Sequence, residues 1–144
     1  MSALEYPATF TTGCDGRTLV EFVDLPNVAT DGADLREAIA EAMDARGSDL
    51  SIRMSLGEDI PAPSALKTGQ RLVPVPLWLA PKIALHLAMR DERINNSELS
   101  RLLGVDESTV RQMLDPAHTS KPVGIQAALA ALGKQMTVEI RDAA

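Results

Sequence analysis

The stretch GEDIPAPSALKTGQRLVPVPLWLAP, residues 57–81, constrains this chain more than any other segment. It holds five of the chain's nine prolines: Pro61, Pro63, Pro74, Pro76 and Pro81. Proline lacks the amide hydrogen that a helix interior or a central strand needs, and it pushes the preceding residue out of the α region. No long helix can therefore run through the middle of the chain. RLVPVPL (71–77) is held extended, and its prolines suit the edge of a sheet. The stretch divides 144 residues into two parts, each near the lower size limit for a self-sufficient core. Before it, strand and helix periods are mixed; after it, helical spacing dominates. The expected organisation is a first domain over 1–70, a linker or edge strand over 71–78, and a second domain over 79–144.

In the first part, YPATFTT (6–12) alternates Tyr6, Ala8 and Phe10 with polar or small neighbours, and TLVEFVD (18–24) places Val20 and Phe22 opposite Glu21. The GCDG turn joins them into a hairpin, and a short third extended piece is expected around Val28 to Thr30. In DLREAIAEAMDAR, Leu35, Ala38, Ile39, Ala42 and Met43 form one apolar stripe. Asp34 stands at the N-cap, with Glu37 three residues on. Residues 47–56 are ambiguous: Leu50, Ile52, Met54 and Leu56 alternate as in a strand, whereas the resemblance given below implies helix, interrupted near Gly47. The second part reads as helices over 80–92, 96–103, 107–114 and 123–132, with Gly133 as a C-cap. A last short strand, QMTVEI (135–140), either closes its own chain's core or pairs across a dimer.

NNSELSRLLGVDESTVRQML (95–114) has the residue types of a helix-turn-helix. Leu99, Leu102 and Leu103 are the expected buried face of the first helix, with Ser100 small toward its partner. Gly104 permits the turn, Val105 plugs the corner, and Asp106 caps a second helix that buries Val110, Met113 and Leu114. The remaining positions point outward. Asn96 can reach a phosphate, and Glu107, Ser108, Thr109, Arg111 and Gln112 occupy the start and exposed face of the second helix, where base edges are read. His118 and Lys121, in the loop that follows, are candidate backbone-phosphate contacts. A leucine-rich helical hairpin of this kind also occurs with no nucleic acid.

Charge bears on that choice. Residues 1–78 hold six Lys/Arg against twelve Asp/Glu, a net −6, whereas residues 79–144 hold eight of each. The first part should repel nucleic acid and attract a basic partner. The second is neutral, and a neutral domain gathers enough cations for DNA when two copies act together.

Other residues carry less. A single cysteine, Cys14, excludes an internal disulfide and lies in a turn with no histidine near it in sequence. Asp15, Glu21, Asp24, Asp31 and Asp34 read as a solvated acidic face rather than a metal cluster. His86 reads as a surface or interface histidine, and Trp78 as packing at the junction. No apolar run approaches the ~20 residues that cross a bilayer, so no membrane association and a cytoplasmic location are expected. Nothing calls for a cofactor.

Taken in order, YPATFTT, EFVDLPNVATDG, LREAIAEAM, IPAPS, VPLWLAPKIALHLAM, SELSRLLG and AALGKQMTVEI resemble the HicB family of antitoxins, in its variant with a helix-turn-helix tail. The resemblance covers nearly the whole chain. It implies an α+β protein: a truncated RNase H-like α/β domain without nuclease chemistry, joined to an all-α helix-turn-helix domain ending in a short dimerisation strand. It implies two partners, a small basic mRNA-cleaving toxin of the HicA type and the operator DNA of the shared operon. It further implies a homodimer or higher oligomer, a tetramer included. Glu21, Asp24, Asp31 and Asp34 are then candidate toxin contacts. The competing readings are a stand-alone helix-turn-helix regulator, an interaction module that binds no DNA, and an RNase H-like enzyme using Asp24 and Asp31 with a divalent metal.

Overall fold

The computed structural model describes residues 4–142. The chain divides into two compact units, Met1–Ala80 and Pro81–Ala144.

The first unit is a four-stranded antiparallel sheet with one helix. Strands β1 (Glu5–Thr12) and β2 (Thr18–Phe22) form the hairpin, followed by β3 (Ala29–Gly32), α1 (Leu35–Leu56) and β4 (Gln70–Pro74). The sheet order is β3-β2-β1-β4, so the proline-bearing strand does take an edge. Period-2 alternation then sorts the faces. Tyr6, Ala8, Val20, Phe22 and Val73 are buried, and α1 packs against the sheet. The opposite face carries Thr9, Thr11, Leu19, Glu21, Asp31, Gln70 and Leu72, matched across strands by the pairs Thr11↔Leu19, Thr9↔Glu21, Leu19↔Asp31 and Thr9↔Gln70.

Helix α1 starts where its caps dictate. Asp34 accepts from Glu37 N at 2.8 Å, and the Glu37 carboxylate accepts from Ala33 N, also at 2.8 Å. The helix continues unbroken past Gly47, correcting the expected interruption. The residue has to be a glycine there because a Cβ would stand 2.9 Å from Pro76 Cγ. The alternation over 50–56 is resolved as helix: Leu50 is buried, whereas Ile52 and Leu56 are exposed.

The buried stripe of α1 runs Ala38, Ala42, Arg46, Leu50, and so includes a cation. The Arg46 guanidinium carbon lies 4.6 Å from the centre of the Tyr6 ring and 4.4 Å from that of Phe22. Its Nη2 donates to Val73 O at 2.7 Å. Nε and Nη1 have no hydrogen-bond partner among the described residues, so the two ring faces are what the rest of the guanidinium meets. Burial pulls the group down to about 10, against the opposing influence of Tyr6 and Asp24, and it remains protonated at neutral pH. The Tyr6 hydroxyl in turn donates to Pro61 O at 2.6 Å, fastening the proline-rich segment to the sheet.

The second unit is helical: α2 (Ala80–Glu92), α3 (Asn96–Leu103), α4 (Glu107–Leu114) and α5 (Pro122–Ala131). Its core is Leu85, Ala88, Met89, Leu99, Val110, Ile125, Ala128, Leu129 and Leu132, with Met113, Leu114 and Met136 packed partly against it. The expected strand at 135–140 is absent: these residues form no regular element. A strand requires a neighbour to complete its hydrogen bonds, and among the described residues this unit contains no other strand. Val138 and Ile140 are 72% and 94% exposed.

Emptying the Arg46 site with Arg46→Ala is expected to lower the unfolding free energy by about 3–5 kcal/mol. Arg46→Met keeps a stem between the rings and loses mainly the bond to Val73 O, at about 1–3 kcal/mol. Urea denaturation of both variants measures the difference. Equal losses would mean that the charge, rather than the packing, holds α1 on the sheet.

Candidate functional site

The pair α3–α4 is positioned by its caps and turn. Asn95 and Glu98 form a capping box: Asn95 Oδ1 accepts from Glu98 N at 2.8 Å, and Glu98 Oε2 accepts from Asn95 N at 2.9 Å. Gly104 ends α3 at φ +64°, a conformation that favours glycine. The Val105 amide then closes back on Ser100 O at 3.0 Å. Leu99 is fully buried, Ser100 nearly so, and Leu103 half-buried.

Three packing expectations fail here. Leu102 is 57% exposed and Val105 is exposed rather than plugging the corner. At about 100° per residue, Leu103 and Ser100 lie on one side of Leu99 round the helix and Leu102 on the other; the core meets the first side. Asp106 does stand at the N-cap of α4, but its side chain makes no capping bond. Its backbone carbonyl alone accepts from Thr109 N and Val110 N.

Helix α4 buries Val110 and half-buries Thr109, Met113 and Leu114, which leaves Glu107, Ser108, Arg111 and Gln112 exposed. Arg111 Nη1 lies 3.7 Å from Glu107 Oε2, one turn apart, and both side chains are half-exposed or more. Such an exposed pair is weak, yet it holds the cation beside a carboxylate. Asn96 is half-buried at the first position of α3, and His118 and Lys121 are exposed in the loop after α4.

Sequence reasoning missed two residues beneath this surface. Lys82 of α2 is 3% exposed, and its Nζ donates to Gln112 O at 2.9 Å, Met113 O at 3.3 Å and Ser120 Oγ at 2.7 Å. Burial lowers its ammonium, with Asp115 opposing. Ser120 Oγ also lies 3.1 Å from His118 Nδ1 and 3.2 Å from Gln112 O. The available signal was one charge inside the apolar run LWLAPKIALHLAM.

In the first unit the four acidic candidates do not converge. Asp34 caps α1. Asp24 is tied to the loop by Ser64, whose amide donates to it at 2.9 Å and whose hydroxyl also donates. Asp31 pairs with Arg17 Nε at 2.6 Å; this hydrogen bond holds its carboxyl below the usual range. Glu21 is exposed on the same face, and Leu19 and Asp31 line a shallow groove with Thr11 and Arg17. No group of three His, Cys, Asp or Glu among the described residues is placed to hold a metal ion, and Cys14 is exposed at the hairpin turn. Among the described residues no helix is long and apolar enough to cross a membrane. Trp78 is exposed, with its ring against the Gly47 position of α1.

The family model described as the HicB-like antitoxin of bacterial toxin–antitoxin systems matches residues 5–84. The chain is 32% identical over 135 residues to antitoxin HicB of Escherichia coli K12, covering 94% of this chain and 98% of that one. It is 33% identical over 133 residues to antitoxin HicB 2 of Photorhabdus laumondii, covering 92% and 94%. Among solved structures it is similar to the crystal structure of the Burkholderia pseudomallei antitoxin HicB, with 18% identity and a TM-score of 0.46, covering 90% of this chain and 97% of that one.

The capping geometry gives a paired expectation. Asn95→Ala removes half of a reciprocal cap and should destabilise the chain by about 1 kcal/mol. Asp106→Ala, whose side chain caps nothing, should change stability by less than about 0.5 kcal/mol. Chemical denaturation of the two variants in parallel checks both.

Proposed function

We propose that this chain, which belongs to the HicB-like antitoxins of bacterial toxin–antitoxin systems, neutralises a small basic HicA-type toxin with its first unit and represses its own operon with its second. The observation that carries the DNA reading is the division of labour on α4: every exposed residue of that helix, Glu107, Ser108, Arg111 and Gln112, is polar. With α3–α4 acting as a helix-turn-helix, α4 enters the major groove and Asn96 approaches the backbone. Arg111 matches guanine and Gln112 adenine, each through two hydrogen bonds. Thr109 flanks them, and His118 and Lys121 face phosphates from the following loop.

One copy brings few cations to this surface, since Lys82 is buried and Lys134 lies 3.9 Å from Glu92. Binding therefore requires at least two copies on paired half-sites. The exposed alternation of Val138 and Ile140 supports a dimer in which residues 135–140 pair with the same segment of a second copy. Each segment would supply the neighbouring strand that the other lacks.

For the toxin, the first unit, read as a truncated RNase H-like domain, offers an acidic surface. Of the six cations in residues 1–78, Arg46 is buried while Arg17 and Arg53 pair with Asp31 and Asp49. The sheet face bearing Glu21 and Asp31 suits a basic nuclease whose own RNA site is cationic. Asp24 and Asp34 are committed to loop and cap bonds and contribute through charge alone.

The test is titration of the chain against DNA from upstream of its own operon at several salt concentrations. Affinity should fall steeply as salt rises. Arg111→Ala should weaken binding by about 1–3 kcal/mol. Glu107→Gln should tighten it several-fold, because it releases Arg111 and removes a carboxylate from beside the phosphates. No shift at low salt would leave the interaction-module reading. On the toxin side, Glu21→Lys should slow association with the purified basic toxin, measured by stopped flow, and leave promoter binding unchanged.

A further inference from the structure

Lys82 has no place on any exposed surface, yet its ammonium uses all three of its hydrogens. Two go to Gln112 O and Met113 O, carbonyls of the last turn of α4, and the third goes to Ser120 Oγ. Carbonyls at a helix C-terminus lack partners within the helix and carry its partial negative charge. A surface lysine could meet that need while keeping its hydration; burial sacrifices the hydration and adds fixed geometry.

The geometry extends beyond the helix end. Ser120 Oγ, which accepts from Lys82, donates its own hydrogen to Gln112 O at 3.2 Å and lies 3.1 Å from His118 Nδ1. That contact sets the direction of the imidazole ring. The intervening backbone is stiffened separately: Ala117 N donates to Asp115 Oδ1 at 2.9 Å, and His118 N donates to Asp115 O at 3.1 Å. One buried cation thus holds the residue at the end of α4's exposed face and, through Ser120, the exposed histidine of the next loop.

We infer that Lys82 is a positioning residue for sequence-specific DNA reading: it touches no DNA and sets Gln112 and His118 in one geometry through α4's terminal carbonyls and Ser120. The inference rests on the proposed operator binding by α4.

The test uses the full chain with Lys82→Met, which keeps the stem and removes the donors, after circular dichroism has established that it is folded. Promoter DNA should bind roughly tenfold more weakly, while random-sequence DNA, held by cations on phosphates, should change less than about twofold. In a double-mutant cycle, His118→Ala should weaken promoter binding several-fold in the wild-type background and less than about twofold beside Lys82→Met. Should Lys82→Met fail to fold, Ser120→Ala cuts the same link and should likewise erase the His118→Ala effect. Unchanged promoter affinity, additive effects in the cycle, or equal losses on promoter and random DNA would overturn the positioning role. Failure of the wild-type chain itself to bind its promoter would instead overturn the DNA reading, and this inference with it.

Discussion

The Arg46 guanidinium is the constraint around which the first unit is arranged. It lies between Tyr6 of β1 and Phe22 of β2 and donates to Val73 O of β4, so one side chain of α1 engages three of the four strands. Aromatic residues make up only 3% of the chain, and two of them are spent on this cation. The arrangement fixes how α1 lies across the sheet, and Gly47 beside it lets α1 approach Pro76. Two unpartnered guanidinium nitrogens in a fully buried site are a real penalty. Contact with two ring faces offsets part of it, and a wrong register would lose that contact entirely.

The second unit repeats the device with a different cation. Lys82, like Arg46, sits on the packed side of a helix and donates to backbone carbonyl oxygen. In the first unit the carbonyl belongs to an edge strand; in the second the carbonyls end a helix. Both cations are hidden, which changes what the surfaces present. The first unit's outer surface is more acidic than its residue count indicates. The second unit's exposed cations are fewer than its count indicates, so the neutral balance of residues 79–144 overstates the positive charge a single copy can bring to a polyanion.

The legible parts of the fold were those set by local chemistry. Proline placed β4 at an edge, Asp34 and Glu37 marked the start of α1, alternation gave the hairpin faces, and Gly104 marked the turn between α3 and α4. What was hidden depended on partners distant in sequence. A charge on an apolar stripe reads as solvent-facing, and only Tyr6, Phe22 and Val73 together make Arg46 a core residue. Leucines at 99, 102 and 103 fit two overlapping faces, and the core's position, not the spacing, excludes Leu102. The surface of α4 was legible because it is what remains once Val110, Met113 and Leu114 are packed. Apart from Asp34, marked as a cap, the acidic candidates were legible only as charge: nothing in sequence distinguishes Asp24, which serves the backbone, from Glu21, which has no ion-pair partner among the described residues.

Residues 135–140 bring these limits to bear on the function. Their alternation is a strand signal, yet among the described residues the second unit provides no strand to receive them, and a lone strand leaves its amides and carbonyls to water. On the proposed DNA reading, the same unit also brings few free cations to the α4 surface, since Lys82 is buried and Arg111 lies beside Glu107. Both shortfalls have one remedy. In the proposed repressor a second copy would supply the missing strand and double the cations, and the symmetry that pairs the tails would also present two α4 helices to successive turns of a duplex. Glu107 fits that proposal: by holding Arg111 and repelling phosphate, it would keep a single copy's affinity low, so that DNA would be gripped only by an assembled pair.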